Sequence, residues 1–243
     1  MLSALKLLTY PTSLPRARLP PTIDVPMMPV ASPPASSSFP THMLAVSSSR
    51  ASHSAPNTPT AGSFVSQNSS TATLPLFPAH ALVLAVHCTL LPQLPRSRPS
   101  NRTASLQLPV VPLTVPNAET FEMLHAYLHT KRADRLLAEL LPPLANVIPP
   151  AHGAASSSAG RPAYISQFTS EGLLRLAHSL ASSAAGHPQG ALPALMGCTR
   201  VINGLWRNVC ALGVFDAELW GVMDVAWEIV LAALTRAAER QRA

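Results

Sequence analysis

The sequence predicts an α+β fold that is predominantly α-helical. A small strand-and-helix core leads into a helical C-terminal part, behind an N-terminal third expected to be disordered. Three observations predict this. Residues 106–115 place apolar side chains at Leu106, Leu108 and Val110, then at Leu113 and Val115, close to the two-residue period of a strand. From Phe121 onward, apolar residues recur every three or four positions through five successive stretches, the period of helices. Residues 1–73 show neither period and are dominated by Pro, Ser, Thr and Ala, a composition that buries too little apolar surface to offset ordering entropy.

Order is expected to begin at Leu74, so that 1–73 form a tail and 74–243 a folded, α-rich domain. The apolar run Ala81–Val86 is too short for periodicity to decide between strand and helix, although Ala and Leu favour helix. A polar loop follows. In the strand of 106–115, Pro109 and Pro112 each lack a ladder donor and point to an edge or interrupted strand. Asn117 offers a cap to a helix of about 118–129. Residues 133–141 form a second short helix, stopped by Pro142 and Pro143. Residues 142–164 read as a mobile surface loop. Ser170 offers a cap for 171–183, and Pro193 opens a helix to 212 that Gly197 and Gly204 weaken or break. Asp216 caps a last helix of 217–240, in which Trp220, Met223, Trp227, Val230 and Leu234 make a stripe buried in the domain or against a partner.

The charge is divided unevenly. Before Glu119 the single acid, Asp24, faces seven bases, and from Glu119 onward ten acids balance ten bases, so the net +6 belongs to the first half (7 − 1 = 6). Those bases are scattered through proline-rich sequence without interleaved aromatics, which argues against a direct nucleic-acid face. Three cysteines (Cys88, Cys198, Cys210) without a C-x-x-C pair argue against a disulfide framework and fit a reducing compartment. No membrane span is expected, because no window approaches about 18 uninterrupted apolar residues. Residues 1–8 make a poor signal sequence. Ser32 and Thr58, each before a proline, are candidate phosphorylation sites, and Asn68 and Asn101 open sequons that matter only in a secreted chain.

Motifs of known chemistry are scarce in the sequence. Phosphate-binding glycine loops, the G-x-S-x-G elbow and H-E-x-x-H are all missing. His125 and His129 have the i, i+4 spacing of a chelating pair, but Ala126 stands where a zincin needs glutamate and no third ligand is near. Cys88 follows His87 directly, which does not aim an imidazole at a thiol, and it lies in an apolar run. No catalytic residue, cofactor or metal is therefore expected, and a small Cys/His-dependent enzyme is the weaker rival. The densest basic patch is TKRADR at 130–135, fitting nuclear import, an acidic partner or a solvated helix end.

Two resemblances enter through particular residues. The run AHALVLAVHCTLLPQL with VPNAETFEMLHAYLHTKR, about 78–141, resembles the middle of a BTB/POZ domain through Phe121, Leu124, Tyr127, Leu128 and Thr130, with His129 in the usual tyrosine position. That likeness implies a ubiquitin-ligase adaptor as one rival. More specifically, 108–141 and 201–231 (VINGLWRNVCALGVFDAELWGVMDVAWEIVL) resemble the clampless-type regulators of mushroom-forming and smut fungi. This second resemblance implies a non-enzymatic developmental regulator acting downstream of mating-type homeodomain factors, needed for clamp cells and growth of the dikaryon. It implies work in the nucleus, with the cytoplasm as a second compartment, by contact with transcription or cell-cycle regulatory proteins. The residues expected to meet such partners are Tyr127, Lys131, Arg132 and Arg135, and the tryptophans Trp206, Trp220 and Trp227.

Overall fold

The computed structural model describes residues 11–26, 39–49, 73–96, 105–151 and 164–242. They form a mixed α+β architecture with five strands in one sheet and six α-helices. The chain divides into two compact units, one of residues 1–86 and 90–118, the other of 87–89 and 119–243. Ser32, Thr58, Asn68, Asn101 and residues 1–8 lie outside the described residues, as does 152–163 of the expected loop.

The first unit is built on the sheet, with strands β1 (Ser13–Pro15), β2 (Thr22–Pro26), β3 (His42–Ser48), β4 (Thr73–Ala79) and β5 (Ser105–Val115) in the order β1-β4-β3-β5-β2. β3 and β5 run parallel, and the other pairs are antiparallel. Three of these strands come from the segment expected to be disordered, which corrects that expectation for residues 13–15, 22–26 and 42–48. The physical reason is pairing at a distance. β3, HMLAVSS, is too short to show a period of its own, yet it sits between β4 and β5 and its residues 42–46 are all buried. Alternation then sorts the side chains: Met43, Ala45, Leu74, Leu76, Leu108, Val110 and Val25 share one core cluster. Leu44, Val46, Val111, Leu113 and Val115 are also buried and have the opposite parity.

β5 is neither an edge strand nor broken, in spite of its prolines. The Val110 N–H donates to the Pro21 carbonyl at 2.9 Å, so even-numbered N–H groups of β5 face the β2 flank and odd-numbered ones face β3. Pairing with β2 stops at Pro109, and pairing with β3 starts at Val110. The position without an N–H at Pro109 therefore faces β3 before its ladder begins, and that at Pro112 faces β2 after its ladder has ended. β4 repeats the device. Its Leu76 N–H donates to Thr12, so Pro78 faces β1 and Pro75 faces β3, each beyond the paired stretch. No ladder hydrogen bond is lost at any of the four prolines.

Helix α1 (Ala81–His87) follows β4, and the Ala81 N–H donates to Thr41 Oγ1 at 2.8 Å. Leu84 is its one buried residue, whereas Leu82 and Val86 are exposed.

The second unit is helical: α2 (Phe121–Thr130), α3 (Ala133–Leu140), α4 (Ser170–Ala185), α5 (Ala191–Leu212) and α6 (Ala217–Arg242). α6 is the helix on which α3, α4 and α5 all pack. Its buried row, Leu219, Val222, Met223, Ala226, Ile229, Val230, Ala233 and Ala237, mixes large residues with three alanines, at which neighbouring backbones can approach. Gly221 is the closest approach, because Ile165, in the 3-10 turn Ile165–Gln167, lies where a Cβ would project. The caps differ in detail from expectation. Thr169 rather than Ser170 caps α4, accepting from the Gly172 N–H at 3.1 Å. α2 starts at Phe121, with Thr120 rather than Asn117 at its N-cap, and the Thr120 hydroxyl accepts from the buried Asn208 amide at 3.0 Å. α5 runs unbroken through Gly197 and Gly204, since twenty-two residues of helix and a buried face outweigh two weak positions. Before the residues not described, the expected loop is packed as well: Leu144 is fully buried, and the Tyr164 hydroxyl donates to the Pro149 carbonyl.

Candidate partner-binding cleft

The basic end of α2 is tied down. Lys131 adopts the left-handed conformation (φ 54°) that stops the helix, and its N–H donates to the Tyr127 carbonyl at 2.7 Å. Its ammonium group bonds Asp216 Oδ2 at 2.6 Å. Asp216 meanwhile caps α6, accepting from the N–H groups of Glu218 and Leu219 at 3.0 Å each, and accepts from the Tyr127 hydroxyl at 3.1 Å. Burial raises the Asp216 carboxyl, but the hydrogen bonds and charge brought by Lys131, Leu219 and Tyr127 outweigh it and leave the group below its ordinary value.

Tyr127 is therefore corrected from a contact residue to a buried strut: it is 2% exposed, and its ring body packs inward. Arg132 forms a fork on Asp134, with nitrogens 2.8 and 2.6 Å from the two carboxylate oxygens, and holds that carboxyl down to about 2. Among the four residues expected here, Arg135 is exposed, and Lys131 and Arg132 are accessible but already paired.

The tryptophans are placed differently. Trp206 on α5 and Trp220 and Trp227 on α6 line one cleft of about 290 Å³ with Ile202, Asn203, Met223 and Asp224. Trp206 is 48% and Trp227 39% exposed, large values for residues of this size. Trp220 is half-buried and fixed by its indole N–H, which donates to the Val214 carbonyl at 3.2 Å. Of the expected stripe, Met223 and Val230 are core, whereas the core row also takes in Leu219 and Ala226, one position before each tryptophan, and leaves the rings at its border. Asp224 completes the site. Sequence spacing alone points to it, since 220, 224 and 227 fall on one helical face.

Beside this cleft lies a second, of about 530 Å³, which shares Trp220 and Asp224 and adds Ile165, Phe168, Val225 and Glu228. An aromatic, partly exposed groove between two helices, with a few polar groups, suits a side chain or short segment of another protein.

The residues tested for chemistry are arranged otherwise. Cys88 is 4% exposed, and burial pushes its thiol up to about 11, away from the low value that a nucleophilic thiolate needs. His87 is held below its ordinary value by burial and then by Lys131, whose ammonium lies 3.4 Å from Nδ1. His125 and His129 stack at 4.2 Å between ring centroids, and His129 Nδ1 bonds the His125 carbonyl at 2.9 Å. Among the described residues, no group of three His, Cys, Asp or Glu side chains is placed to hold a metal ion, and no helix is long and apolar enough to cross a membrane.

Two family models match the chain. Residues 1–116 match the Clampless protein 1 N-terminal domain, and residues 134–243 match the Clampless protein 1 C-terminal domain. No curated protein and no solved structure matched. The BTB/POZ-like reading of about 78–141 finds no support: the two matches end and begin inside that segment, and the two units divide it at Glu119. The cleft lies wholly within the C-terminal match, and the matches fit a developmental regulator. With both domains matched in order over nearly its whole length, the chain belongs to the clampless protein family.

Proposed function

We propose that this chain is a non-enzymatic regulator of sexual development in the mating-type pathway. It acts in the nucleus by docking transcription or cell-cycle regulatory proteins, mating-type homeodomain factors among them, and so supports clamp-cell formation and growth of the dikaryon. Family membership supports the developmental part of this reading. The observation that carries the docking part is the cleft between α5 and α6, where Trp206 and Trp227 stay exposed at the border of a well-packed helical core. Indoles left this exposed keep apolar surface in water, and tryptophans are among the side chains most often found at the energetic centre of interfaces.

The experiment is complementation of a fungal strain that lacks clamp cells through loss of this gene. The wild-type chain restores them. The double variant Trp206→Ala/Trp227→Ala accumulates in nuclei to the same level but does not. Full restoration by the double variant would remove the cleft from the proposal.

A further inference from the structure

The chain has three tryptophans, and all three line the same cleft. Its remaining walls are Ile202 and Met223, with Asn203 and one charge, Asp224. The adjoining cleft shares Trp220 and Asp224, and its other charge is Glu228. Among the described residues, no lysine or arginine lines either cleft. Among the described residues, no ion pair or hydrogen bond engages the side chains of Asp224 or Glu228.

Each candidate occupant meets these walls differently. An acidic side chain meets Asp224, Glu228 and the electron-rich faces of the indoles, and is repelled by all of them. A purely apolar side chain suits the rings but strips water from the Asp224 carboxylate and gives it no partner. A lysine or arginine side chain satisfies both. Its aliphatic stem covers Ile202 and Met223, its cationic head lies on the tryptophan faces, and the head pairs with Asp224. The volume, about 290 Å³, is at the lower end of ligand sites and suits one long side chain. Trp220 is held in place by its bond to Val214, so at least one ring is oriented before binding.

We infer that this cleft receives a lysine or arginine side chain from a partner protein segment, gripped between the tryptophans and Asp224, with Glu228 favouring a second cationic residue alongside. The inference rests on the docking reading above and adds the chemical class of the partner segment.

The test uses the intrinsic fluorescence of the full chain, because every tryptophan reports on this cleft. Two peptides are titrated, Ac-Gly-Leu-Arg-Leu-Gly-NH2 and the same peptide with citrulline, which keeps the shape and removes the charge. The arginine peptide is expected to shift the emission and to bind roughly 5- to 10-fold more tightly than the citrulline peptide. The gap narrows as salt is raised and closes in Asp224→Asn, whose far-UV circular dichroism and melting midpoint match the wild type. Equal binding of the two peptides, a gap that persists in Asp224→Asn, or no emission change with either peptide would overturn the inference. If the double tryptophan variant still fails in complementation, any of those outcomes leaves the docking proposal standing. If that variant complements fully as well, both readings fall.

Discussion

Lys131 Nζ lies 2.6 Å from Asp216 Oδ2, which joins the last residue of the α2 turn to the residue that caps α6. The ion pair itself is modest, because the lysine side chain is 39% exposed and solvent screens it. More of the stabilisation belongs to the cap and to the Tyr127 hydroxyl. Asp216→Ala is expected to cost about 2–3 kcal/mol, the sum of a lost cap and a lost hydrogen bond. Asp216→Asn keeps a capping oxygen and should cost less than about 1 kcal/mol at neutral pH. Urea denaturation measures both, and equal losses would assign the stabilisation to charge.

The same carboxylate sets a pH dependence. Its folded pKa is depressed, so the folded protein holds this proton less well than the unfolded chain does. The stabilisation is fully present above the unfolded value, about 3.9, and is lost as pH falls through the lower folded value. The difference in urea midpoint between wild type and Asp216→Asn should therefore hold steady down to about pH 5 and shrink toward about pH 2. A difference that grows on acidification would contradict the assignment.

Gly221 gives a test of packing with a change of sign. A Cβ there would lie 2.8 Å from Ile165 Cγ1, so Gly221→Ala must push the Ile165 side chain out of its place. The helix gains about 1 kcal/mol from alanine, and overpacking costs about 1–3 kcal/mol. The single variant should be destabilised by about 1 kcal/mol. In an Ile165→Ala background the same substitution should instead stabilise by up to about 1 kcal/mol. Thermal melts of the four proteins close the cycle, and additive effects would show that the two residues do not meet.

The proline placement in β5 predicts contrasting neighbours. Pro109→Ala and Pro112→Ala restore N–H groups that face unpaired flanks, so each should change stability by no more than about 1 kcal/mol, mainly through the unfolded chain. Val110→Pro deletes the donor to Pro21 and should cost more than about 2 kcal/mol. Similar losses for all three would mean that the ladder registers are not those described.

The sequence showed the helices and the longest strand because their signals are local. α6 and its Asp216 cap, α3 with its proline stop, and β5 all announce themselves within ten to twenty residues. β1, β2 and β3 do not. HMLAVSS has no room for a period, and what makes it a strand is β5, more than sixty residues away in the register Met43 to Val110. The site was legible in part for a related reason. Spacing puts Trp220 and Trp227 on one face, but whether that face is core or border depends on where α4 and α5 press against α6. Tyr127 shows the converse, since its position on α2 is visible whereas its burial depends on Asp216, 89 residues later.

Docking through the tryptophan cleft would show in the binding of the mating-type homeodomain proteins to the immobilised full chain, compared between wild type and Trp206→Ala/Trp227→Ala. If the cleft docks these proteins, the double variant raises Kd by roughly tenfold or more, as expected for loss of two aromatic anchors, while it remains folded. An unchanged Kd in the folded double variant would contradict it.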